Sequence, residues 1–129
     1  MSRRIRVVLV AVAVLLHACA PPSPVASPVG GISGIALAGP TCPVERPGDP
    51  ACAPRPVAGA TILIRDATGA DVATVVTDAA GRFQVALSPG DYTVVGQPVE
   101  GLMGHPEPLH VNVAEGDVTI ELSYDTGIR

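Results

Sequence analysis

The side chains richest in chemistry in this 129-residue chain are the cysteines Cys19, Cys42 and Cys52 and the neighbouring histidines His105 and His110. Cys42 and Cys52 lie in a proline-rich run, TCPVERPGDPACAPRP (Thr41–Pro56), with nine residues between them. Zinc knuckles place paired cysteines two to four residues apart, so this spacing speaks against a metal. A dithiol redox pair is expected as C-x-x-C, which is absent. His105 and His110 have the spacing of half a zinc finger, but the other half is missing and Pro106 and Pro108 interrupt the pair. We therefore expect no metal and no cofactor. The acidic stretches Asp66–Asp71 and Thr77–Gly81 have neither the length nor the closing glutamate of a calcium loop, and Asp with Gly is what hairpin turns demand. Ser33, in Gly31-Ile32-Ser33-Gly34, is not a nucleophile elbow. The chain has no lysine, which removes Schiff-base chemistry and any Lys–Asn cross-link. No enzyme is expected.

The N-terminus reads as an export segment. Arg3, Arg4 and Arg6 precede an unbroken apolar run, Val7–Leu16. That run is half the roughly 20 residues a membrane-spanning helix needs, so residues 1–18 read as a signal peptide. Leu16-His17-Ala18-Cys19 resembles a lipobox, the site at which bacterial lipoproteins are cleaved and acylated on the new N-terminal cysteine; His17 departs from the pattern. Cleavage within Ala18-Cys19-Ala20 is the rival, but it leaves Pro21 directly after the cut. The expectation is lipidation of Cys19, with acyl chains holding the protein on the extracytoplasmic side of a membrane. Residues 19–30 form a Pro/Ser tether, in which Ala20–Val29 spans about 30 Å if extended. With Cys19 acylated, Cys42 and Cys52 are left as an even pair in an oxidising compartment, and a disulfide follows. On the chain-entropy model it contributes about 2.5–3 kcal/mol, less what the loop prolines already stiffen.

Removing residues 1–18 takes away three arginines and no acid. Five arginines then face twelve carboxylates, a net charge of −7. Such a chain has no basic footprint for nucleic acid or for anionic lipid.

From Gly31 to the end at Arg129 the pattern is that of one small all-β domain. Aromatics are scarce, so Ala, Val, Ile and Leu must fill its core. Period-two runs predict seven strands, at Ile32–Ala38, Ala60–Asp66, Asp71–Thr77, Arg82–Leu87, Tyr92–Gly96, Leu109–Val113 and Val118–Leu122. Gly34 marks a bulge or a close backbone contact. Regular short strands with turn signals between them predict a two-sheet antiparallel sandwich.

One stretch carries a family resemblance. Thr77-Asp78-Ala79-Ala80-Gly81-Arg82-Phe83 through Pro89-Gly90-Asp91-Tyr92 resembles the T-D-x-x-G-x-F-x-V-x-L-x-P-G-x-Y signature of carboxypeptidase regulatory-like domains, and Pro56–Ile62 resembles the entry to their second strand. The resemblance covers residues 31–123 and implies a transthyretin-like (prealbumin-like) seven-stranded sandwich. It transfers fold and not activity. That fold includes a purine-pathway hydrolase ending in Tyr-Arg-Gly-Ser, but this chain ends Tyr124-Asp125-Thr126-Gly127-Ile128-Arg129. Carbohydrate binding is the better rival, though Phe83 and Tyr92 go to the core and only Tyr124 is left to face a sugar.

What remains is Gln97–Pro108, longer than most hairpin connections, with Leu102 and Met103 among its glycines. If each strand reverses the one before it, this loop, the Gly39–Gly59 loop and the C-terminus gather at the end opposite the tether. Leu102, Met103 and Tyr124, braced by the Cys42–Cys52 loop, are then the expected contact face for a protein partner.

Overall fold

The computed structural model describes residues 30–129; the signal segment, Cys19 and the tether as far as Val29 lie outside the described residues. Wherever side chains alternate with period two, the chain forms strand. β1 runs Gly30–Gly39, β3 Thr61–Asp66, β4 Asp71–Val76, β5 Arg82–Leu87, β6 Gly90–Gly96, β7 Leu109–Val113 and β8 Gly116–Asp125. Two further elements carry no such signal. A 3-10 turn at Pro50–Cys52 and a two-residue strand β2 (Arg55–Pro56) both lie in proline-rich chain.

The strands form two four-stranded sheets. One runs β4-β3-β6-β7, antiparallel throughout. The other is centred on β1, with β8 along one side and β5 followed by β2 along the other. β1 and β8 pair in parallel, from Gly30 beside Gly116 to Gly39 beside Asp125. The sandwich is therefore mixed, not wholly antiparallel as expected. The reason is geometric: seven strands that alternate in direction leave the first and last pointing the same way. Once those two are sheet neighbours, only parallel pairing is open to them.

The inner faces of the two sheets meet in one aliphatic core that includes Ile32, Ala36, Ile62, Ile64, Val94, Val113 and Leu122. Phe83 is the largest ring β5 contributes, and Gly34 makes its space. A Cβ on Gly34 would stand 2.6 Å from the ring, so this glycine marks a close contact.

The motif that carries the family resemblance is mechanical here. Thr77 is buried, and its hydroxyl donates to the Val57 carbonyl (2.6 Å) while accepting from the Ala60 N–H (2.9 Å). Asp78 accepts from the N–H groups of Ala80 and Arg82, both at 2.9 Å, closing the turn. Gly81 has φ +72°, and its N–H donates back to Asp78. Its carbonyl accepts from Ala36 N–H at 2.8 Å, and an added Cβ would press on the Ala36 carbonyl, so both conformation and space select glycine.

Candidate functional site

Strand direction decides which loops meet. The chain leaves β1 at Gly39, β4 at Val76, β6 at Gly96 and β8 at Asp125, all at the end of the sandwich opposite Gly30. Backbone hydrogen bonds knit that pole together. Thr126 N–H donates to Gly39 (3.2 Å), Met103 N–H donates to Asp125 (2.9 Å), and Gly104 and Asp125 bridge in both directions. The loop pole is thus where alternating strands predict it.

Cys42 and Cys52 form the expected disulfide, with Cα atoms 5.2 Å apart. The loop it closes is braced from within. Asp49 caps the 3-10 turn by accepting from Ala51 N–H at 2.9 Å, and Thr41 Oγ1 donates to Ala53 at 3.2 Å. β2 then stitches the exit of the loop onto Leu37 and Ala38 of β1.

The three candidate contact residues divide. Met103 is 80% exposed. Its thioether lies across Gly127 so closely that a Cβ there would collide with the sulfur, and Gly127 has φ +81° besides. Leu102 is half-buried. It walls a shallow notch of about 300 Å³ with Val57 and Val99, rimmed by Arg55 and Glu100. Tyr124 corrects the expectation: it is 2% exposed and belongs to the core. β8 runs on to Asp125, so the inward series Val118, Ile120, Leu122 extends one step to Tyr124. Its hydroxyl donates to the Gln97 carbonyl at 3.1 Å, and an added Cβ on Gly96 would lie 2.9 Å from the Tyr124 hydroxyl oxygen. Tyr124 therefore anchors the start of the Gln97–Pro108 loop from inside, and burial pushes its phenol pKa up. Sequence reasoning also passed over Val44, which stands 71% exposed in the disulfide loop.

Beside Met103 the C-terminal segment is tied down electrostatically. The Asp125 carboxylate accepts from Arg129 Nη2 (2.8 Å) and from Gly127 N–H (2.8 Å). The Arg129 hydrogen bond first, and the Gly127 N–H second, hold its pKa down to about 2.

A roomier hollow of about 620 Å³ lies on the outer face of the β4-β3-β6-β7 sheet, lined in part by Arg65, Asp91, Thr93, His110 and Asn112. Its polar groups are engaged with one another across strands or within the hairpin. Thr93 meets His110 at 3.1 Å, Asn112 donates to Asp91 at 2.7 Å, and Arg65 donates to Asp71 at 2.8 Å. Such pairs are ordinary sheet stabilisation. Of the aromatic rings among the described residues, Phe83 and Tyr124 are buried, while half-buried Tyr92 donates its hydroxyl to Ser88 and lines part of this hollow. Among the same residues no three His, Cys, Asp or Glu side chains group to hold a metal ion, and no helix is long and apolar enough to cross a membrane.

A carboxypeptidase regulatory-like domain model matches residues 51–123. No curated protein matches the chain by sequence. Solved structures do share the sandwich. GBS52, the minor pilin of the gram-positive pathogen Streptococcus agalactiae, aligns with TM-score 0.56 at 18% identity over 74% of this chain and 44% of its own. BcpA, the major pilin subunit of Bacillus cereus, gives 0.56 at 15% identity over 76% and 30%. The shaft pilin SpaA of Lactobacillus rhamnosus GG gives 0.54 at 12% over 74% and 48%. At these identities the likeness is one of fold, and this chain spans less than half the length of each pilin.

Proposed function

Because the chain belongs to the carboxypeptidase regulatory-like domain family, a membership that carries a sandwich and not an activity, we propose that it is an exported, non-catalytic binding or scaffold module. In this reading Cys19 bears acyl chains at the cell envelope, and the loop pole meets a protein partner. One observation carries the proposal: both long loops, the disulfide and exposed Met103 gather at the end of the sandwich opposite Gly30, where the tether joins. A rigid sandwich with its loops pooled at one end is a common platform for recognition. Met103 is an adaptable apolar contact, and the Leu102 notch beside it has charge at its rim, as contact surfaces do. The disulfide fits an oxidising compartment.

The test is recovery of a partner from solubilised membranes with the intact protein as bait. Met103→Asp puts a carboxylate into the contact while touching only surface, so stability should stay within about 0.5 kcal/mol. Partner recovery should be abolished. Undiminished recovery with Met103→Asp would mean that the loop only covers the sandwich edge, and the contact face would have to be sought elsewhere.

A further inference from the structure

A sheet edge leaves a row of backbone N–H and C=O groups without partners, and proteins guard such edges with charge, proline or irregularity. The edges of this sandwich are guarded unequally. β8 carries Asp117 and Glu121, and β5 exposes Arg82, Gln84 and Ala86 but no large apolar side chain. β7 is short and framed by Pro108, with Glu107 and Glu115 just outside it. β4, the end strand of its sheet, is different. Its run Val72–Val76, VATVV, holds no charge, no proline and no glycine. Val72 and Val76 stand 46% and 56% exposed. The one irregularity is a bulge at Val72: Ile64 faces Ala73 and Arg65 faces Asp71, so Val72 has no opposite number on β3 and the regular run is Ala73–Val76.

We propose that β4 pairs antiparallel with β4 of a second copy of this chain, on a twofold axis through Thr74, making one continuous sheet of two copies. The sequence is matched to itself in that register. Val72 faces the partner's Val76, Ala73 faces the partner's Val75, and Thr74 faces the partner's Thr74. Cross-strand pairs of β-branched residues are among those that stabilise antiparallel sheets. Isologous pairing of this kind closes at two subunits. Charge favours this edge over β7 and β8. Here Asp71 faces the partner's Thr77 and Asp78 faces the partner's Ala70, so no carboxylate meets another in a chain that is strongly acidic overall. The same symmetry about Val111 on β7 would set Glu107 against the partner's Glu115, and about Thr119 on β8 would set Asp117 against the partner's Glu121. The pairing uses a different surface from the loop pole and leaves that pole free.

The test uses the full chain in its own membrane, read on a non-reducing gel. Thr74 is exposed, so Thr74→Cys leaves the core untouched. It would place two thiols across the axis, at the Cα separation of about 5 Å that a disulfide accepts. Val72→Cys would hold its two thiols about 13 Å apart, four residues along the strands. Expected is a covalent dimer of twice the chain mass for Thr74→Cys and nothing above the parent background for Val72→Cys. A mixture of Val72→Cys with Val76→Cys chains should give the heterodimer. Thr74→Asp, which sets two carboxylates face to face, should lower the dimer fraction of detergent-solubilised chain measured by light scattering. Added salt should raise that fraction for the parent by screening the net negative charge. A monomeric Thr74→Cys chain would overturn the proposal, as would equal cross-linking of Thr74→Cys and Val72→Cys. Capture of a species of another mass at position 74 would also overturn it, since the edge would then take a foreign strand.

Discussion

Tyr124 shows how one side chain joins the core to the loop pole. Its ring is fully enclosed, and its hydroxyl satisfies the carbonyl of Gln97, the first residue of the long loop. Removing the hydroxyl alone leaves that carbonyl without this partner, which costs about 1 kcal/mol. Removing the ring empties the space between β8 and β6 and costs about 3–5 kcal/mol, the range for aromatic truncation in a core. Denaturant melts of Tyr124→Phe and Tyr124→Ala should show that order, and an alanine variant as stable as the parent would contradict the packing described. The position was legible in principle. Val118, Ile120 and Leu122 already set the inward parity, and Tyr124 follows in phase; what hid it was ending the strand at Leu122, although Ser123 and Asp125 continue the polar positions set by Thr119 and Glu121. Phe83, by contrast, could be read at once, because Arg82 and Gln84 flank it with unmistakable polar positions.

Among the elements, those built on local rules were legible and those built on distant adjacency were not. The turn at Thr77–Gly81 follows from Asp and Gly chemistry within five residues, and the structure uses both as turn formers. The parallel pairing of β1 with β8 depends on residues more than eighty positions apart, and no local period encodes it. β2 was equally hidden: proline removes an N–H donor from Arg55–Pro56, and only the neighbouring β1 makes it a strand. The disulfide loop belongs to this scale as well. Cys42 and Cys52 close chain that lies between β1 and β2 and outside the long strands, so the bond stabilises the loop more than the sheets. Reduction should lower the melting temperature modestly, by an amount worth at most about 3 kcal/mol in loop-closure entropy, with the far-ultraviolet circular dichroism of the sheets retained. Loss of the sheet signal on reduction at moderate temperature would show instead that β1 needs the clasp to fold.

At the scale of the molecule, the fold fixes a polarity. The described chain begins at Gly30, and β1 runs from there to the pole that carries Cys42–Cys52, Met103 and the C-terminal segment. A tether attached at Gly30 thus joins the sandwich at the end away from its loops. The acidic chain offers no electrostatic hold on an anionic bilayer, so the proposed attachment rests on acyl chains at Cys19, of which one alone binds only marginally. We expect the mature N-terminal peptide to begin at Cys19 and to carry a lipid adduct visible by mass spectrometry. Cys19→Ser should move the protein from the membrane fraction to the soluble one while the disulfide and the β-sheet signal persist, because neither depends on the anchor. A mature chain beginning at Pro21 with no adduct would remove the anchor. The loop pole would then be the exposed end of a freely secreted domain, and its partner would be sought in solution instead of across the envelope.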